Sequence, residues 1–132
     1  MIIISNPINF ADVLREFDRG DPADYDFDTD DFTKDANWNT LDLSPIVPVG
    51  AVSVEMFMAL NCSSAANVGV LFRKGGNSNG IAVSGGSTNV TNNTTYHDVR
   101  AFLDENRHLE YNAAAQTFVT LNLSVTSWKI PA

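Results

Sequence analysis

From Gly50 to Asn61 the chain reads GAVSVEMFMALN. Val52, Val54, Met56, Met58 and Leu60 take every second position, and Ser53, Glu55 and Ala59 take most of the others, with Phe57 the exception. Side chains alternate faces along a strand, so this spacing predicts a long strand with one apolar face that a second layer must cover.

The same period recurs downstream. Leu41 and Leu43 share a face in Trp38–Ser44, and Val68, Val70 and Phe72 alternate up to Arg73-Lys74. Ile81–Val83 reads as a brief strand, Tyr96–Phe102 as another, and Arg107–Asn112 sets Leu109 and Tyr111 inward. Thr117–Ile130 alternates Val119, Leu121, Leu123 and Val125 against Thr120, Asn122, Ser124 and Thr126.

Turn chemistry separates these runs. Pro45–Gly50 carries two prolines, which cannot donate to a central ladder. Gly75–Gly80, the Gly/Ser/Thr/Asn-rich Gly85–Thr94, Asp104–Asn106 and Ala113–Gln116 supply the rest. Seven or eight strands with one short helix predict an all-β, two-sheet antiparallel β-sandwich, jelly-roll-like rather than a small closed barrel. Its core is expected from Val52, Val54, Met56, Val68, Val70, Phe72, Leu109, Val119, Leu121 and Leu123.

The first 36 residues read differently, and the boundary is placed between an arm, 1–36, and the sandwich, 37–132. Ile2–Ile4 suits a short edge strand or a hydrophobic arm. Asn6-Pro7 opens a helix, and Phe10, Val13, Leu14 and Phe17 follow at the spacing of one helical face until Gly20, Asp21 and Pro22. This helix either caps the core or packs on a neighbouring molecule.

Composition sharpens the division. The net charge is −8, and residues 12–35 hold ten acids against Arg15, Arg19 and Lys34. The balance argues against nucleic acid, whose phosphates need clustered Lys and Arg. No apolar run is long enough to span a bilayer, and no signal peptide is visible. The single cysteine, Cys62, fits a reducing compartment and a buried position, and the Asn-x-Ser/Thr sequons then carry no glycan.

Candidate chemistry is sparse. Asp24, Asp26, Asp28 and Asp30 alternate as in a calcium loop with Asp35 at its twelfth position, but Thr29 stands where the sharp turn needs Gly, and the bidentate Glu is missing. An extended segment with Tyr25 and Phe27 inward is the plainer reading. Ser84, His97 and Asp98 do not make a triad, because adjacent strand residues point to opposite faces. His97, His108 and Cys62 lack zinc spacing, and GGNSNG lacks the Lys-Ser/Thr of a phosphate loop. The expectation is no catalysis and no cofactor or metal. Tyr96, Tyr111 and Trp128 are candidates for a sugar platform, with burial in the core as the default.

A wider pattern joins the strand ends. It runs Trp38..Leu41-Asp42-Leu43-Ser44..Ile46-Val47-Pro48..Gly50-Ala51, then Val70..Phe72-Arg73-Lys74..Gly76-Asn77-Ser78-Asn79. It continues in Asp104..Asn106-Arg107..Leu109-Glu110-Tyr111 and closes with Val125..Ser127-Trp128. Over residues 37–130 this resembles a β-sandwich module of tailed-phage virion proteins. The resemblance implies a structural protein of the particle made in the bacterial cytoplasm, most like a capsid decoration (cement) protein on the shell surface. The alternative is a receptor- or carbohydrate-binding module of a tail or fibre. Its implied partners are the major capsid protein and further copies of itself, a trimer being favoured because capsids offer three-fold positions. The expected contact residues are Ile2, Ile3, Ile4, Phe10, Val13, Leu14 and Phe17, more apolar surface than a free tail should carry.

Overall fold

The computed structural model describes residues 13–131. Its strands are β1 (Leu14–Asp18), β2 (Trp38–Asp42), β3 (Ser53–Cys62), β4 (Gly69–Lys74), β5 (Val83–Ser87), β6 (Thr95–Phe102), β7 (His108–Ala113) and β8 (Phe118–Pro131), with a 3₁₀ turn at Thr29–Asp31. Two four-stranded sheets form, in the orders β1–β8–β3–β6 and β2–β7–β4–β5. Every neighbouring pair is antiparallel. The pairs β4 with β5, β3 with β6, β2 with β7 and β1 with β8 nest one outside the next, the winding of a jelly roll.

The expected central strand is central. β3 lies between β6 and β8 and sends Val54, Met56, Met58 and Leu60 inward, each at most 1% exposed. Opposite them the second sheet contributes Leu41, Val70, Phe72 and Leu109. Burying each such side chain stabilises the fold by roughly 1.5–3 kcal/mol, and only a two-layer stack hides both inner faces.

Two of the expected core positions differ. Val52 precedes β3 and is half-buried, and Val119 is 58% exposed. The cause at Val119 is an irregularity in the β3–β8 ladder: Asn61 faces Thr120, but Cys62 faces Phe118. One extra residue on β8 flips the alternation, so Phe118 turns inward and Val119 outward. A second shift, between Glu55 and Met56, turns Trp128 and Ile130 against the core beyond Val125.

Around residue 85 the strand lies later than expected. Ile81 is 92% exposed, and β5 begins at Val83 and runs through the glycines expected to be loop. Those glycines permit close packing. A Cβ on Gly85 would lie 2.2 Å from the Val70 carbonyl oxygen, and one on Gly86 would meet the His97 ring at 2.4 Å. Small residues here answer a space requirement that composition alone disguises as turn chemistry.

The amino-terminal segment also corrects the expectation. Leu14–Asp18 is not the end of a helix but an edge strand, registered Leu14 to Pro131 and Asp18 to Ser127. The edge of β8 away from β3 carries open backbone donors and acceptors, and satisfying that ladder outweighs a marginal short helix. Ile2–Ile4 and Phe10 lie outside the described residues. Residues just before the boundary drawn at 36 pack against the sandwich. Phe32 is buried, packs edge-on to Tyr111 at 5.0 Å, and is followed by Thr33, whose N–H donates to the Tyr111 hydroxyl at 2.7 Å.

Two substitutions test the ladder. Leu121→Ala should cost about 2–5 kcal/mol and Val119→Thr no more than about 0.5 kcal/mol in urea unfolding, whereas strict alternation through residue 119 would make both costly. Gly85→Ala should lower the unfolding midpoint by the equivalent of about 1–3 kcal/mol, because the new methyl group meets backbone rather than a movable side chain.

Candidate functional site

Past β1 the chain keeps following β8. The Arg19 N–H donates to the Thr126 carbonyl at 3.0 Å, Phe27 exchanges both backbone hydrogen bonds with Leu123, and the Thr29 hydroxyl accepts from the Leu121 N–H at 2.9 Å. Between Arg19 and Asp26 the backbone leaves the ladder in a loop, opened by Gly20 at φ +98° and an Asp18 carboxylate that accepts from the Gly20 N–H. Val125 would lose its partners at this break. Side chains replace them: Asp26 Oδ2 accepts from the Val125 N–H at 2.8 Å, and Arg19 Nη1 donates to the Val125 carbonyl at 3.0 Å. Arg19 and Asp26 also bind each other through both nitrogens and both oxygens, and Ser124 Oγ donates to Asp26 at 3.2 Å.

The loop held at these two ends sets Tyr25 over the outer face of the first sheet. Phe57 lies on that face because its neighbours Met56 and Met58 point into the core. Tyr25 and Phe57 lie 6.4 Å apart between ring centroids, and Phe57 and Tyr96 5.6 Å, both pairs within 15° of parallel. Tyr96 is diagonal to Phe57 in the β3–β6 register, within aromatic reach. The result is a strip of three rings crossing the sheet, with Tyr96 63% and Tyr25 39% exposed. At its Tyr25 end a cleft of about 350 Å³ is lined by Asp24, Tyr25, Phe57, Ser124 and Thr126.

A larger groove, about 660 Å³, opens where β5 crosses β6. Glu55, Lys74, Asp98 and Arg100 are among its lining residues. It also holds Ser84, whose hydroxyl donates to the Arg100 carbonyl, a tie between the two sheets. Its charges are of both signs and fix no single ligand class.

Of the expected contact residues that are described, Leu14 and Phe17 lie on β1 and Val13 just before it, 39–43% exposed, with Leu14 on the face opposite to Val13 and Phe17. The acidic residues do not converge on one point. Asp26 is held by Arg19, Asp28 caps the 3₁₀ turn through the Asp30 N–H, and Asp35 accepts from the Asn37 N–H and the Asn39 amide. His97 bonds to the Thr95 hydroxyl at 2.8 Å, and Cys62 is buried. Of the three aromatic residues named for a sugar platform, only Tyr96 lies in the exposed strip. Tyr111 is buried, and Trp128 packs against the core.

Sequence reasoning missed Tyr25 and Phe57. Tyr25 was expected inward, and Phe57 interrupted an alternating pattern. That interruption, one large aromatic on the polar face of the central strand, was the available signal.

Residues of the wider pattern meet on the second sheet. Arg73 lies 4.0 Å from the centre of the Trp38 ring and donates twice to Glu110, whose other oxygen accepts from the Gly76 N–H. Asp104 accepts from the Asn106 and His108 N–H groups, and Arg107 ties down the Ser44 and Val47 carbonyls. These contacts hold turns and strand ends. No protein-family model, curated protein or solved structure matches the chain.

Four carboxylates have lowered pKa values: Asp35 and Asp42 at exposed positions through backbone N–H donors, and Asp26 and Glu110 in ion pairs. Burial pushes Asp26 up, but the bonds from Arg19, Val125 and Ser124 outweigh it, and at Glu110 burial is outweighed by Gly76 and Arg73. A carboxylate with a lowered folded pKa contributes stability above its unfolded value, and that stability is lost as pH falls through the folded one. The unfolding midpoint should therefore stay flat at neutral pH and fall once the pH drops below the ordinary values of 4.5 for Glu and 3.8 for Asp. Asp26→Asn should shrink that acid dependence. At pH 7 it should cost about 2–3 kcal/mol, since Arg19 loses a charged partner and the Val125 N–H a strong acceptor.

Proposed function

We propose that the protein is a structural component of a tailed-phage particle, a capsid decoration protein that binds outside the assembled shell and bridges neighbouring major capsid subunits. The observation that carries this reading is β1. All five of its residues are exposed, including Leu14 and Phe17, each 43% exposed, although the strand is firmly registered on β8. Arg15, Glu16 and Asp18 blunt this edge against strand pairing, while the exposed Leu14 and Phe17 side chains are apolar surface suited to a partner.

The sequence before it adds Ile2, Ile3, Ile4 and Phe10, extending the apolar series that begins the contact. Acidic residues on either side, among them Glu16, Asp18 and Asp21, complement a basic shell surface and orient docking. Many weak contacts repeated over a shell add up through multivalency. A trimer matches three-fold positions on such a shell. The jelly-roll winding supports the reading by analogy only, since that fold also serves lectins and enzymes.

The test is decoration itself. Purified protein added to bare shells should bind at a copy number comparable to that of the major capsid protein, with β1 at the contact in an electron cryomicroscopy map. Leu14→Asp with Phe17→Asp should abolish binding while leaving the melting temperature nearly unchanged. Full occupancy by this variant would remove β1 from the contact, and a copy number limited to the tail would replace decoration with a tail or fibre role.

A further inference from the structure

The aromatic strip lies on the outer face of the first sheet, the sheet that β1 also edges, and its argument is independent of the β1 proposal. We propose that the Tyr25–Phe57–Tyr96 strip and the cleft at its Tyr25 end form a binding site for a neutral oligosaccharide.

Three observations combine. First, the rings are nearly parallel and evenly spaced, with two of the three well exposed. A pyranose ring offers an apolar face of C–H bonds, and such faces stack on aromatic rings. A row of rings therefore suits consecutive sugars of a chain better than one isolated sugar.

Second, the cleft supplies hydrogen-bonding groups beside the stacking surface. Asp24, Ser124 and Thr126 line it together with Tyr25 and Phe57; the Ser124 and Thr126 hydroxyls donate to Asp26 and to the Glu55 carbonyl, so they offer acceptor oxygens, and Asp24 offers a carboxylate. Sugar hydroxyls project from the ring perimeter and need donors and acceptors in that position. The volume of about 350 Å³ falls in the range of small-ligand sites.

Third, the cleft itself is acidic. It contains Asp24 and no Lys or Arg, whereas farther along the strip Asp98, which faces Phe57 across the β3–β6 ladder, is offset by Arg100 two residues along the same face. The Asp24 carboxylate repels uronic acids, sialic acids and phosphorylated glycans at the cleft, which favours neutral sugars there. Sugar hydroxyls are well hydrated, so the stacking contacts have to be joined by hydrogen bonds from the cleft.

The rigidity of the strip follows from its supports. Phe57 sits mid-strand between buried methionines, and Tyr25 is positioned by the loop that Arg19 and Asp26 clamp. A site held this way loses little side-chain freedom when occupied.

Titration of the full chain with glucose, N-acetylglucosamine and galactose hexamers, followed by aromatic NMR shifts and calorimetry, tests the proposal. At least one hexamer should saturate and move the Tyr25, Phe57 and Tyr96 ring signals together. Tyr96→Ala and Tyr25→Ala should each weaken that binding by about tenfold or more, equivalent to about 1.4 kcal/mol, with the melting temperature kept. A polyuronate of the same length should bind less well. The proposal is overturned if no hexamer shifts the three rings at millimolar concentration, or if binding survives both substitutions. It is likewise overturned if the strip proves to be covered by a second copy, seen as a dimer in sedimentation that Tyr96→Ala dissolves. Loss of sugar binding by Tyr96→Ala with shell decoration intact would separate this site from the β1 contact.

Discussion

The architecture depends on keeping β8 paired along both edges. β3 covers one edge, and the segment from Leu14 to Thr29 covers most of the other, although the backbone departs between Arg19 and Asp26. At that departure one arginine and one aspartate act as a substitute peptide unit for Val125, donating to its carbonyl and accepting from its N–H. An orphaned backbone pair at this depth would cost more than a typical surface ion pair returns, so the value of the bridge lies in what it prevents. The same clamp frees six residues to form a loop without breaking the sheet, and that loop brings Tyr25 to the strip.

Much of the sandwich was legible because burial imposes a simple period. β3, β4, β7 and most of β8 follow it, and their inner residues are those expected from the alternation. The failures share one cause: local patterns were read without the neighbouring strand. The register shift at Asn61/Cys62 exists only between two strands, so Val119 looked like a core residue. Gly85 and Gly86 resemble a loop until β4 and His97 are set against them. Val13, Leu14 and Phe17 fit a helical face equally well, and the open edge of β8 decides against it.

The candidate sites were less legible than the fold for a related reason. A binding surface departs from the rules that make a fold readable. Phe57 breaks the polar parity of its strand, and Tyr25 sits in an acidic run whose carboxylates drew attention to metals instead. Most of those carboxylates serve the chain locally, as at Asp28, which caps the 3₁₀ turn, and at Asp18, which braces Gly20. A dense acidic run can thus be a series of small backbone repairs.

The nesting of first strand with last has a consequence for synthesis. β1 can join its sheet only after β8, its sole ladder partner, has left the ribosome, more than a hundred residues later. Until then Leu14 and Phe17 travel on an unpaired segment, and the inner pairs, β4 with β5 and then β3 with β6, are available first. Such a closing step is slow because its loop is long, and it leaves an apolar edge open to other chains meanwhile. Glu16 and Asp18 on that segment, with Asp12 and Asp21 beside it in sequence, give nascent copies a like charge that opposes their association.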